Sequence, residues 1–482
     1  MSRSATPPGV EYEPSRRSAA LVLTALSLSM LLPSLSISIA NVGLPSMAVA
    51  LGASFHQVQW IVIAYLLSIT TLIVGVGRLG DLVGRHRLLV IGIAVFTVAT
   101  LLCGLAPNLL LLIAARALQG VGAACMMALT MASVGAIVPE HRTGSAMGLL
   151  GTMSAVGTAL GPSLGGVLIG IFGWRAIFLA VVPIGVLTLA LTLRISADTA
   201  DGSTVRRFDT LGTALLAVTL GAYALAMTVD SFGPLSLGLL GIAGVGSALF
   251  AFTESKVAFP LVTLGMLRDP VLAVGLTTST VVSAVMMTTL VVGPFHLAGA
   301  LGLGPAAVGL VMSAGPAVSA LTGVPAGRVT DRFGSGTMVI VGLVGIIGGA
   351  LTLSVMPVAA GVLGYVLPLV LCTASYATFQ AANNTAVMKD VAAQQRGLIS
   401  GMLNLSRNLG LMTGASVMGA VFARAAGTRD VTTGTPAEIA RGTHWTFAAA
   451  ALLVGIGLAL VLGLRRGRGD EYVSGSRRPS RR

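Results

Sequence analysis

Gly157-Thr158-Ala159-Leu160-Gly161-Pro162-Ser163-Leu164-Gly165-Gly166 is the stretch on which the reading of this chain turns. It lies inside an apolar run over about residues 143–171, long enough to cross a bilayer as a helix. Gly157, Gly161 and Gly165 fall every fourth residue, so they share one helix face and let a neighbour approach backbone to backbone. Pro162 has no amide to donate and its ring crowds the carbonyl of Thr158, so a bend is expected there. A bent, glycine-faced membrane helix suits a molecule that rocks between two conformations. A generic small-residue packing face is the plainer reading of such spacing, but three spaced glycines, a proline and a fourth glycine together are more specific.

Composition points the same way. The chain has 482 residues, 55% hydrophobic and only 9% charged, with a mean hydropathy of +0.93. Soluble domains carry about 25% charged residues, so this is an all-α integral membrane protein. The net charge of +13 does not imply nucleic acid, because the basic residues sit in short loops and tails and not on a soluble domain. Cys103, Cys125 and Cys372 lie within apolar spans, where structural disulfides are not expected. No Walker loop, thiol–histidine pair or metal-ligand cluster is present, and His56, His86, His141, His296 and His444 fall near span ends. The reading is therefore a protein that is not an enzyme and needs no cofactor or metal. Without an ATPase domain, its energy comes from an ion gradient or its transport is downhill.

Fourteen spans are expected, at about 19–40, 57–77, 88–106, 109–137, 143–171, 174–193, 210–229, 235–253, 270–296, 304–326, 337–356, 361–387, 398–424 and 446–464. The run at 19–40 is too long for a signal peptide and lacks a small-residue cleavage site. With both termini in the cytoplasm, only six of the 29 basic residues lie elsewhere: Arg175, Arg424, Arg429 and Arg441 outside, Arg116 and Arg407 within the membrane. Trp60, Trp174 and Trp445 then all fall at outer helix ends, as an aromatic belt requires.

The chain also repeats itself. Gly77-Arg78-Leu79-Gly80-Asp81-Leu82-Val83-Gly84-Arg85 follows span two, and Gly327-Arg328-Val329-Thr330-Asp331-Arg332-Phe333-Gly334 follows span ten. Arg142-Thr143-Gly144 before span five is echoed by Arg396-Gly397-Leu398 before span thirteen. A parallel repeat of two six-helix halves follows. The divisions are a cytoplasmic tail at 1–18, a first half at 19–194, a linker and inserted hairpin at 195–255, a second half at 256–464, and a basic tail at 465–482.

The ten residues from Gly157 resemble the antiporter motif of the major facilitator superfamily, found in its fifth helix and associated with exporters. The loop at Gly77, Asp81, Gly84 and Arg85 resembles that superfamily's motif between helices two and three, although Leu82 stands where a basic residue is usual. Its physical logic is a latch, with Asp81 placed near the start of span three to accept backbone amides and meet arginines in one conformation only; Asp331 and Arg332 are the repeat's counterpart. Arg116-Ala117-Leu118-Gln119-Gly120-Val121-Gly122 resembles the fourth-helix motif, whose arginine the resemblance implicates in proton coupling. Span one ends Leu35-Ser36-Ile37-Ser38-Ile39-Ala40-Asn41, resembling the first-helix signature of fourteen-helix drug:proton antiporters. Ser36 replaces the membrane-embedded aspartate usual there.

What the resemblance implies is a major facilitator fold of two six-helix halves plus a two-helix hairpin, acting as a secondary active exporter. It would move small amphipathic molecules, drugs or antibiotics, across the plasma (inner) membrane in exchange for protons, as a monomer whose only partners are substrate, protons and lipid. Gating falls to Gly77, Asp81, Gly84, Arg85, Asp331, Arg332, Gly157, Gly161, Pro162 and Gly165. Coupling or substrate binding falls to Ser36, Asn41, Arg116 and Gln119, with Tyr376, Gln380, Asn383 and Arg407 from the second half. The alternatives are a dedicated exporter of a neutral or anionic metabolite, or a lipid transporter. Two embedded arginines without an embedded carboxylate favour a substrate that is not a cation.

Overall fold

The computed structural model describes residues 16–137, 140–195, 210–228, 233–257, 264–389, 391, 396–427 and 434–475; within these, the side chains of 16–20, 74, 77, 78, 81, 82, 131–137, 140–148, 151, 152, 155, 210, 228, 264, 267, 324, 396–398, 400, 401 and 466–475 lie outside the description. The described residues are helical almost throughout. In chain order the helices are α1 (Arg16–Leu51), α2 (Phe55–Val83), α3 (Arg85–Leu105), α4 (Leu109–Ile137), α5 (Glu140–Phe172), α6 (Ala176–Leu179), α7 (Val182–Leu193), α8 (Thr210–Thr228) and α9 (Pro234–Lys256). They continue with α10 (Pro270–Phe295), α11 (Pro305–Met312), α12 (Ala314–Phe333), α13 (Ser335–Val355), α14 (Gly361–Met388), α15 (Arg396–Thr413), α16 (Gly419–Ala426) and α17 (Pro436–Gly475).

Twelve stretches among the described residues are long and apolar enough to cross a membrane. Val156–Phe172 and Leu211–Met227 are shorter apolar helices, lying where spans five and seven are expected. Several expected spans are interrupted. Pro183 starts α7 after a break, and π-helical turns at His296–Ala300 and Gly414–Met418 extend α10 and separate α15 from α16.

Local signals account for the helix ends. Ser54 and Gln57 form a reciprocal capping box on α2, and Asp269 caps α10 by accepting from the Val271 amide. The two repeated loops collapse to single glycines. Gly84 (φ 98°) and Gly334 (φ 84°) each adopt a backbone conformation that side chains disfavour, and each returns its amide to the preceding helix, at Gly80 and Thr330. The sequence repeat is thus a repeat of geometry. One expectation changes with it: Asp81 sits in the last turn of α2, not at the start of α3, because the turn is one residue long.

In the first half α1 packs on α5, and α4 on both α2 and α3. In the second, α13 packs on α14 and α17, and α10 on α15. α8 and α9 pack on each other, and α8 also touches α2 and the π turn at 414–418, where Tyr223 bonds the Thr413 side chain.

The glycine face of α5 serves a different contact from the one rocking would use. A Cβ on Gly157 would lie 2.5 Å from the Leu31 carbonyl, and one on Gly161 or Gly165 would collide with Ser38 or Ile39. All three glycines bring α5 onto α1 of the same half, where Ser34 bonds Ser154 and Ser38 donates to the Gly157 carbonyl. The face that meets the other half is carried by Gly166, one residue beyond the stripe. Ala at 161 is expected to destabilise the protein by about 1–3 kcal/mol through overpacking, whereas Ala at 170, whose nearest neighbour is 3.7 Å away, leaves it unchanged. Thermal unfolding of the two variants in detergent checks this.

Candidate functional site

Glycines in α4 bring its polar residues into contact with two neighbours. A Cβ on Gly120 would lie 2.5 Å from the Tyr65 carbonyl of α2, and one on Gly122 would lie 2.5 Å from the Phe96 amide of α3. This close approach carries Arg116, fully buried, to the Ile61 carbonyl, to which its Nε donates at 2.9 Å. Its Nη1 donates to Gln119 Oε1 at 2.5 Å, and its guanidinium lies 4.1 Å from the centre of the Tyr65 ring. Gln119 passes the network on, donating to Thr100 Oγ1 at 2.7 Å and reaching Ser36 Oγ at 3.5 Å. Nη2 of Arg116 is buried without a hydrogen-bond partner among the described residues. A buried guanidinium lowers its desolvation cost through carbonyls, amides and an aromatic face, and here no carboxylate among the described residues contributes.

Of the expected binding residues, the structure therefore unites Ser36, Arg116 and Gln119. Asn41 is buried further along α1, donating to the Ile37 carbonyl with its Oδ1 unpartnered. The second-half set does not bond to this cluster. Tyr376 is partly buried against the core, Gln380 keeps a buried, unpartnered Oε1, and Asn383 donates to the Gly275 carbonyl. Asn383 also lines a cavity of about 330 Å³ between α10, α13, α14 and α17, together with Asp269, Lys389 and Arg465.

Arg407 is not packed inside the helix bundle as Arg116 is. It is exposed beside exposed Asn404, because the opposite face of α15, through Ser406 and Gly410, is the one packed on Thr280 and Ser283 of α10. Asp331 and Arg332 are exposed, the latter 5.4 Å from the Phe333 ring. Arg85 is also exposed, and the side chain of Asp81 lies outside the described residues. Trp174 departs from the belt pattern: it is buried, edge-on to Phe178 and covered by Arg175, while Trp445 is exposed.

The two halves meet along a seam at the helix ends remote from Gly84 and Gly334. Phe55 of α2 packs edge-on against Phe295 of α10 at 4.8 Å and Phe422 of α16 at 5.3 Å. Gln59 donates to the Ala415 carbonyl at 2.8 Å, and Gly419 is close enough that any side chain would strike Gln59. Gly166 of α5 faces Pro305 and Gly309 of α11, each glycine leaving room only for the other's backbone. Sequence reasoning missed this seam. Phe55, Phe295 and Gly309 belong to no motif, and only the run of glycines at 302–309 hinted at a close approach.

The model of the Major Facilitator Superfamily matches residues 26–415 and, in a second match, 276–480. Multidrug resistance protein Stp of Mycobacterium tuberculosis is 31% identical over 84% of this chain and 76% of its own length. Riboflavin transporter RibZ of Clostridioides difficile is 28% identical over 84% of this chain and 88% of its own. In fold, the chain is similar to the inward-facing, unoccupied structure of a bacterial homologue of the human lysosomal transporter Spinster, with a TM-score of 0.69, 15% identity, and coverage of 93% of this chain and 97% of that one. With its all-helical fold, its repeated glycine turns and a family match over most of its length, the chain belongs to the Major Facilitator Superfamily.

Proposed function

We propose that the chain exports small amphipathic molecules, drugs and antibiotics among them, across the plasma membrane by alternating access driven by proton influx. The observation that carries this reading is the one-ended seam. Contacts between halves at Phe55–Phe295–Phe422, Gln59–Ala415 and Gly166–Gly309 gather at one end, which suits a cavity open at the other. The positive-inside distribution makes the seam end the outer one, with both termini in the cytoplasm. Similarity to multidrug resistance protein Stp supports the substrate class.

In this reading the chain acts as a monomer with residues 19–194 and 256–464 as the two halves. α8 and α9, which fall in the division at 195–255 but for the last residue of α9, are an inserted hairpin that raises the span number to fourteen. Substrate enters between the halves from the cytoplasm while the seam is closed, and rocking about the cavity opens it. The glycine face at Gly157, Gly161 and Gly165 locks α1 and α5 into one rigid unit, so that motion concentrates where Pro162 and Gly166 meet Gly309. Gly77, Asp81, Gly84 and Arg85, with Asp331 and Arg332, form the hinge and latch at the inner end. Arg116, Gln119 and Ser36 contact the substrate or the coupling ion.

A second reading, a dedicated exporter of a neutral or anionic metabolite, is favoured by the unpartnered Nη2 of Arg116 in a network that runs through Gln119 to Ser36, where the signature has a carboxylate. Inverted membrane vesicles distinguish the two. Neutral, cationic and anionic fluorescent compounds are offered with and without an imposed proton gradient. Movement of the cation that stops when the gradient collapses supports drug–proton exchange. Movement of the neutral or anionic compound alone favours the second reading, and absence of all movement rejects both.

A further inference from the structure

The exporter reading requires a group that accepts protons from the outer side, and Ser36 removes the acidic residue that the first-helix signature would supply. The structure offers a different group at the seam itself. His296 directly follows Phe295, the aromatic residue that packs on Phe55 across the two halves, and it opens the π turn His296–Ala300. It is 7% exposed, with its ring stacked on Tyr365 at 5.7 Å between centroids.

The hydrogen bonds select one tautomer of the neutral ring. Thr443 Oγ1 spends its proton on the Ile439 carbonyl at 3.0 Å, so it can only accept from the ring nitrogen 3.1 Å away. Nδ1 of His296 is therefore the N–H, and Nε2 carries the lone pair. Among the described residues Nε2 makes no hydrogen bond. His296 borders a cavity of about 10 Å³, lined also by Leu301, Pro357 and His444 at the connecting loops of this end. That volume accommodates about one water molecule. His444 is fixed too: its Nε2 lies 2.8 Å from the Met356 carbonyl, an acceptor only, so that nitrogen holds the hydrogen.

We propose that His296 Nε2 is the acceptor for protons arriving from the outer side, and that the resulting imidazolium loosens the seam. The inference rests on the exporter reading given above. The proton passes from hydronium in the cavity to Nε2, Nδ1–H stays on Thr443, and the ring holds one positive charge until Nε2 returns the proton to water at the same end. Among the described residues, the groups facing that charge do not neutralise it. Tyr365 presents its ring from α14, and His444 is the second imidazole from α17. Of the charged residues nearest on α17, Arg441 is turned to the Ala425 and Ala426 carbonyls, and Glu438 holds the Thr435 cap. α10 and α11 contribute no charged side chain.

An uncompensated charge in an apolar setting favours whichever conformation lets water reach it. Opening the seam does that. The route is short: Phe295 is the adjacent residue, and the Tyr365 hydroxyl, bonded to the Thr289 carbonyl at 3.3 Å, also touches Met312 of α11, the helix whose Gly309 meets Gly166.

Inverted vesicles expose the outer face to the lumen, so lumenal pH can be varied alone. For the wild type, accumulation of a transported fluorescent compound should rise as the lumen is acidified. His296→Asn keeps a donor for Thr443 but cannot take up a proton; its dependence on lumenal pH should be lost, while exchange of labelled for unlabelled compound at equal pH continues. An unchanged dependence on lumenal pH overturns the proposal. If His296→Asn does not reach the membrane, Thr443→Val decides: it removes the acceptor that sets the tautomer, and it should move the midpoint of the pH profile while exchange persists. An unmoved midpoint likewise overturns the proposal. A wild type that exchanges compound but ignores lumenal pH overturns it and leaves downhill export standing. A wild type that moves nothing rejects the exporter reading itself.

Discussion

Valine in place of Gly309 is expected to abolish export while leaving the helices folded in the membrane. The argument is geometric. Any side chain at 309 runs into the Pro162 carbonyl and the Gly166 backbone of the opposite half, and neither can yield as a flexible side chain would. Overpacking typically costs about 1–3 kcal/mol, and here the cost falls only on the state in which the seam is closed. A differential of that size shifts a two-state equilibrium by about 5–150-fold, enough to hold the transporter open at this end. A cysteine at Ala415, fully buried beside Gln59, should then become reactive to a small thiol reagent. The same substitution at Gly323 in α12, which has nothing within 4 Å, should leave both export and reactivity as in the wild type.

The second large effect is expected at Arg116. Arg116→Ala removes the donors to the Ile61 carbonyl and Gln119 and the cation over Tyr65. Hydrogen bonds to charged groups contribute about 1.5–3 kcal/mol each, so both transport and thermal stability should fall. Arg116→Lys is the sharper test. It keeps the charge but cannot span the Ile61 carbonyl and Gln119 with a planar fork. Transport should be lost with lysine as with alanine, while the melting temperature recovers part of the difference. Full transport by Arg116→Lys would show that a point charge suffices and that the network through Gln119 to Ser36 and Thr100 is not required.

Much of the architecture was legible in the sequence because its signals are local. Apolar run lengths located the helices, and the spacing of Gly77, Asp81 and Gly84 against Gly327, Asp331 and Gly334 announced the repeat that the two positive-φ glycines embody. Arg116 was placed within the membrane from its position in span four, and the structure buries it fully.

What failed were matters of partnership. Periodicity says that Gly157, Gly161 and Gly165 share a face, but a face fitted to α1 of the same half reads the same as one fitted to the other half. The residue that does cross the seam, Gly166, lies outside the stripe. Arg407 shows the same limit: its position in an apolar run gives its depth, whereas the side of the helix, which the run does not specify, sets its exposure. His296 and His444 were passed over as span-end residues, because nothing in either flanking sequence indicates that the ends of α10 and α17 converge on one cavity.

The central claim is that the two halves exchange which end is closed. It is tested most directly by spin-label distances measured at both ends under the same conditions. Asn108 and Ala359 are exposed at the seam end of the two halves, and Val83 and Phe333 are exposed at the other. The native cysteines are buried, which limits background labelling. On addition of a transported compound and a proton gradient in vesicles, the Asn108–Ala359 distance should lengthen while the Val83–Phe333 distance shortens. Distances that stay fixed during transport, or that lengthen together at both ends, would contradict alternating access in this chain.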